Sequence, residues 1–199
     1  MRKLSLLTLG LVFSTQLFAA PVKFAKSSGT ITWTGTKEFD KSDKHFGTVD
    51  LKSGELDLVA KKGEFVIDMK TIAPQDGNDE KSKKKLAGHL SSEDFFAVDK
   101  FPEAKIVVKD LAPEKAGSDL YTVTADVTIR GTTQELKFPA TVTQKDGKTS
   151  IDSSFDLDRT KFGVSYSTPS DSLGTKITKD VKNKLIKKDV KIELKLQSV

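Results

Sequence analysis

His45 and His89 are the only imidazoles in this 199-residue chain, and it has no cysteine. Either histidine, with a carboxylate such as Asp43 or Glu93 nearby in sequence, supplies only part of a zinc site, which needs three or four protein ligands. Thiolate nucleophiles, thiolate metal ligands and disulfides are excluded by composition. No glycine-rich phosphate loop and no Gly-x-Ser-x-Gly nucleophile elbow occurs. These absences point away from catalysis, and no catalytic residue, metal or cofactor is expected. His89 reads as a structural residue, a ring nitrogen bonded to backbone beside Leu90 and Phe95. His45 reads either the same way beside Phe46 or as the neighbour of a ligand head group. Arg159, between Asp158 and Lys161, also has two readings. It pairs with Asp158 at a strand end, or its guanidinium fork meets an anionic or polar head group.

The elements that must position these groups are strands. Tyr121, Val123, Ala125, Val127 and Ile129 alternate with Thr122, Thr124, Asp126 and Thr128, the period of a sheet with one apolar face. Phe65, Ile67 and Met69 alternate in the same way, as do Ile106 and Val108, then Leu136, Phe138, Ala140 and Val142, then Phe155 and Leu157, and finally Val190 to Leu196. Thr30 to Gly35 places Ile31 and Trp33 together, and Gly47–Leu51 and Gly54–Val59 read as two short strands separated by Ser53–Gly54. Asp146–Gly147 is a hairpin turn. Eight or nine antiparallel strands with one apolar face close into a barrel or pair as a two-layer sandwich. Barrel closure removes the edges, and eight strands are wide enough to hold one small ligand.

The pattern breaks between 79 and 102. Leu86 and Leu90 stand four apart in a Lys-rich stretch, as on one helical stripe, and Ser91–Ser92–Glu93–Asp94 resembles a helix start. Phe95, Phe96, Val98 and Phe101 form the densest aromatic patch, which reads as a lid or plug at one barrel end. A second stripe, Leu173, Ile177, Val181 and Leu185 among lysines, reads as a basic amphipathic helix. It either packs across the barrel mouth or gives peripheral membrane contact through 173–188.

Residues 1–20 read as a secretory signal peptide, with Arg2 and Lys3 ahead of an apolar run and Ala19–Ala20 at its end. Cleavage falls after Ala19 or Ala20, with Ala19 favoured because Pro21 would otherwise follow the cut. The run is short for a membrane span of roughly 20 residues. Residues 21–199 then form one domain exported to the periplasm. The formal charge of +5 drops to about +3 without the leader, too little for the dense basic stripe of a nucleic-acid binder.

Five blocks, in order, resemble the YceI-like family: Trp33–Thr34–Gly35–Thr36–Lys37 with His45–Phe46–Gly47; Met69–Lys70–Thr71–Ile72; Leu86 to Phe96 running to Phe101–Pro102; Asp126 to Thr132; and Asp158 to Val164. The resemblance covers essentially the whole chain after the leader. It implies an all-β, antiparallel eight-stranded lipocalin-like barrel with a short helical lid segment. It also implies a periplasmic carrier or storage protein, not an enzyme, for a long-chain isoprenoid or other amphiphilic lipid. A fatty-acid-like ligand and a monomer or homodimer fit this reading; the alternatives are a stress-response or structural interaction protein with a packed core and, behind it, an enzyme on a small hydrophobic substrate. The Lys-rich stretch 175–188 departs from the family pattern. The candidate ligand-binding wall comprises Trp33, Phe65, Ile67, Met69, Ile106, Val108, Tyr121, Val123, Val127, Ile129, Phe155 and Leu157. His89, Phe95 and Phe96 come from the lid, and Arg159 stands at the head group. Singly, each apolar residue reads as core packing; as a set they read as a tunnel. The small residues Gly35, Ala125, Ala140 and Ser153 are where room for a tail is expected. A tail gains about 0.8 kcal/mol per buried methylene.

Overall fold

Wherever the sequence alternates with period two, the chain is strand, and the strands close on themselves. The computed structural model describes residues 20–77, 79–169 and 183–199. Its strands are β1 (Val22–Ala25), β2 (Gly29–Thr36), β3 (Lys44–Asp57), β4 (Lys62–Pro74), β5 (Glu103–Pro113), β6 (Leu120–Ile129), β7 (Thr132–Lys145), β8 (Lys148–Asp158) and β9 (Asp189–Gln197). All pairings are antiparallel, in the order β1-β3-β2-β9-β8-β7-β6-β5-β4, and β3–β4 pairing closes the ring. β1 and β2 pair with opposite halves of β3, Val22 against Leu56 and Ile31 against Val49. They act as one barrel strand broken at a 3₁₀ turn, Lys26–Ser28, where Ser28 Oγ accepts the Ala25 N–H. The result is an eight-stranded barrel.

Two tight hairpins close by left-handed residues. Arg130 and Gly131 have φ of 51° and 74°, and Asp146 and Gly147 have 52° and 74°, the signature of a type I′ turn, whose twist matches the flanking strands. Gly131 has a second constraint: a Cβ there would lie 2.8 Å from the Phe101 ring.

Two sequence expectations are corrected, and a third meets the described residues only at its C-terminal end. Ser53–Gly54 does not separate two strands. β3 runs through it, with register shifts between Thr48 and Asp50 and between Leu51 and Ser53, and such bulges bend a strand around a closing barrel. Ser91–Ser92 ends a helix instead of starting one. Helix α1 (Glu80–Ser91) is capped at its start by Asp79, whose side chain accepts the Ser82 N–H at 2.7 Å. At its end the Ser92 N–H and hydroxyl both return to the His89 carbonyl. A serine satisfies orphan groups at either helix end, so its presence alone did not fix the direction. The third is the amphipathic stripe. Leu173, Ile177 and Val181 lie outside the described residues, as do the leader residues 1–19. Leu185 and Ile186 are not helical. The Leu185 carbonyl accepts the Glu38 N–H, Ile186 bridges Lys37, and the Lys187 N–H donates to the Thr36 carbonyl. The free edge beyond β2 captures this segment as a strap.

Connections differ between the two barrel ends. At the floor the turns are 58–61, 114–119 and 146–147; among the described residues the mouth carries 37–43, 75–77, 79–102, 130–131, 159–169 and 183–188. The main apolar cluster, including Leu51, Leu111, Val123, Phe138 and Leu196, fills the barrel toward the floor. A second cluster of Trp33, Ile72, Leu90, Phe95 and Val164 lies under the lid.

Candidate functional site: an apolar cavity under a tethered lid

Inward positions near the mouth are not filled. A cavity of about 190 Å³ lies there, and a smaller one of about 50 Å³ lies toward the floor. Ile31, Ile67, Ile106 and Leu194 border both, so this layer forms a waist between an upper and a lower chamber. Eleven of the sixteen candidate residues line the upper chamber: Trp33, Ile67, Met69, Phe95, Phe96, Ile106, Val127, Ile129, Phe155, Leu157 and Arg159. Phe65, Val108 and Val123 line the lower one. Tyr121 and His89 border neither cavity. Tyr121, opposite Ala140 at the start of β6, is too near the floor, and His89 is turned to the lid's outer side. Of the small residues, Gly35 opens the mouth, while Ala140 and Ser153 border the lower chamber. Ala125 is fully buried in packed core and makes no room.

Trp33 occupies its place because of a glycine across the strand pair. A Cβ on Gly47 would meet the Trp33 ring at 2.6 Å and the Ala73 carbonyl oxygen at 2.2 Å. The indole Nε1 donates to the Thr48 carbonyl at 3.3 Å, which leaves the ring face available to the cavity wall.

The lid is tied down by two arginines. Arg130 Nη1 donates to the carbonyls of Phe95 (2.9 Å) and Gly163 (3.0 Å), joining the turn after α1 to the 3₁₀ turn Arg159–Phe162. Arg159 is only 3% exposed. Its Nε, Nη1 and Nη2 donate to the carbonyls of Lys187, Val164 and Ile186 at 3.0, 2.7 and 3.1 Å. Burial pulls this guanidinium below its ordinary pKa, which the charge of Asp158 only partly opposes. The expected Asp158–Arg159 ion pair does not form: Asp158 accepts from Thr160 and meets Lys188 Nζ at 3.2 Å. Arg159 therefore spends its donors on backbone carbonyls, clamping the strap over the mouth. Arg130 lies in the Asp126–Thr132 stretch, and nothing in sequence shows which carbonyls converge on a side chain.

Both histidines pair with aspartates. His89 Nε2 lies 3.1 Å from Asp94 Oδ2, and its ring stands edge-on to Phe95 and Tyr166 at centroid distances of 4.9 and 4.8 Å. It is a lid residue as expected, but its partner is a carboxylate, not backbone. His45 Nδ1 lies 2.6 Å from Asp76 Oδ2, and Asp76 Oδ1 accepts the Phe46 N–H at 2.8 Å. Burial alone would raise the Asp76 pKa; the hydrogen bonds from His45 and the Phe46 amide outweigh it and hold the carboxyl below its usual range. His45 belongs to the upper chamber's rim with Lys37 and Asp43.

A closed eight-stranded antiparallel barrel with an apolar chamber beneath a helical lid defines the class: a lipocalin-like binding barrel. The YceI-like domain model matches residues 22–198, and the chain belongs to that family. Among solved structures it is similar to BcnA of Burkholderia cenocepacia, with a TM-score of 0.60 and 22% identity over 86% of this chain and 96% of the other. It is also similar to a polyisoprenoid-binding domain from Saccharophagus degradans implicated in plant cell wall breakdown. That match has a TM-score of 0.64 and 14% identity over 90% of this chain and 97% of the other. These two likenesses show the fold. A UPF0312 protein of Pseudomonas putida (strain W619) is 36% identical over 75 residues, 38% of this chain. The chain spans about a third (35%) of that curated relative's length in the match.

Proposed function

We propose that this chain is an exported, non-catalytic carrier for a long-chain isoprenoid or other amphiphilic lipid, the tail in the upper chamber and the head group at the mouth. The observation that carries this reading is the 190 Å³ space whose wall is apolar side chains. A water-sized unit occupies about 30 Å³, so the chamber takes roughly six methylene-sized groups as it stands. At about 0.8 kcal/mol each, these supply about 5 kcal/mol before the costs of immobilising a ligand. Tight binding therefore needs a tail that also passes the waist or displaces lid side chains such as Leu86 and Ile186. The polyisoprenoid-binding relative supports a tail of this chemistry. Export follows from the leader reading, with the mature chain beginning at Ala20.

Organic extraction of protein purified natively from the periplasm, followed by mass spectrometry, tests the reading. One predominant amphiphile is expected. An empty protein whose Trp33 fluorescence also fails to respond to a prenol series would end the carrier reading.

A further inference from the structure

We propose that the mouth contains a head-group site selective for a hydroxyl-bearing amphiphile, an alcohol or phenol, built from His45, with Asp76 behind it and the open space before Gly35. The proposal rests on the carrier reading and adds the head-group chemistry.

The β2–β3 register sets Ile31 against Val49, Trp33 against Gly47 and Gly35 against His45. Side chains alternate across a strand, so His45 continues the inward row that begins with Val49, one step beyond Trp33 toward the rim. Opposite it, a Cβ built on Gly35 would find no atom within 4 Å. Where Ile31 and Trp33 fill this row, Gly35 leaves a gap facing an imidazole.

Asp76 fixes what that imidazole offers. Its two oxygens are held separately, Oδ2 by His45 Nδ1 and Oδ1 by the Phe46 N–H. An ionised carboxylate only accepts, so the Nδ1 proton points at Asp76. In the neutral ring, Nε2 then carries the lone pair, because the hydrogen bond made by one ring nitrogen sets the role of the other. An acceptor at the rim of an apolar chamber matches a head group with an O–H. An ether or ester offers it no donor. The charged residues of the lining are Lys37, Lys105, Arg159 and Asp43, and Arg159 commits three of its N–H groups to backbone carbonyls.

The test titrates the full mature chain with farnesol and with farnesyl methyl ether, which share one tail, and reads Trp33, the chain's only tryptophan. The wild type should bind the alcohol about five- to tenfold tighter, the size of one net hydrogen bond. His45→Leu, at a half-exposed rim position, should abolish that preference, so that alcohol and ether bind within about twofold of each other. Asp76 is a positioning residue: Asp76→Asn should shrink the preference and shift the His45 ¹⁵N resonances away from the Nδ1-protonated tautomer. Equal binding of alcohol and ether by the wild type, a preference that survives His45→Leu, or wild-type resonances of an Nε2-protonated ring would each overturn the head-group site and leave the carrier reading standing. Binding of neither compound would overturn both.

Discussion

At the floor of the barrel, short turns bring Leu51, Leu56, Leu111 and Leu196 together, each 5% exposed or less. At the mouth, the same strands lead into 79–102, 159–169 and 183–188, and Trp33, Met69, Phe95 and Ile72 meet a chamber almost four times larger than the one below. The strand pattern is alike at both ends. The difference lies in what crosses the opening. A two-residue turn such as Asp146–Gly147 lets facing side chains converge, whereas a helix and a strap held by arginine–carbonyl bonds span the ring without filling it. Hollow space here is a product of the connections, not of the strands.

If that contrast is right, the same truncation should have unlike consequences at the two ends. Leu51→Ala, at 1% exposure beside the lower chamber, should cost about 2–5 kcal/mol of stability, the range for a leucine removed from a packed core. Leu86→Ala, partly buried on the lid side of the upper chamber, should cost only about 1 kcal/mol while changing ligand affinity. Urea unfolding of both variants measures this. Equal losses would mean that the mouth is as tightly packed as the floor.

The lid tethers set the next effect. Arg159→Met removes three bonds from a buried cation and leaves the Val164, Ile186 and Lys187 carbonyls without that donor. A loss of about 2–3 kcal/mol is expected, since hydrogen bonds to charged groups exceed neutral ones and stranded buried carbonyls add to the cost. The loss should be local. Amide exchange should accelerate at Glu38, Ile186 and Lys187, whose N–H groups hold the strap, while Val142 and Ser198 near the floor keep their protection. Uniform acceleration throughout the barrel would show that strap and floor unfold as one unit.

How much of this was legible in advance follows the same division. The strands from β4 to β9 and the Asp146–Gly147 turn follow from alternation and turn chemistry, because both are local. Which residues face the barrel interior was mostly legible too, since an inward position on a strand stays inward when the sheet closes. Height along the barrel axis was not legible: Phe65, Val108 and Val123 belong to the lower chamber, and Tyr121 to neither, because shear and bulges decide the level at which a side chain arrives. The lid resisted most. The link of His45 to Asp76 joins the start of β3 to the residues after β4, and Arg159 reaches carbonyls on two separate segments. Such contacts depend on where connections pass in space. No periodicity encodes them.

The smallest effect concerns acid. Asp76 is held below the usual carboxylate range: burial pushes it up, but bonds from His45 and the Phe46 amide prevail. Asp158 is lowered as well, its burial outweighed by bonds from Thr160 and Lys188. Both sit at the mouth, one joining β3 to the segment after β4, the other meeting Lys188 at the end of the strap. A carboxyl whose folded pKa is depressed contributes its full stabilisation above the unfolded value, about 3.9 for aspartate, and loses it as pH falls through the lower folded value. The contribution is therefore intact at neutral pH and fades below about pH 4. The core at the floor is held by apolar packing. Methyl NMR during an acid titration should show Ile186 at the mouth shifting before Ile151 near the floor, and Asp158→Asn should weaken that early shift. Simultaneous movement of the two methyls would mean that the charged pairs at the mouth hold nothing that the barrel wall does not already hold.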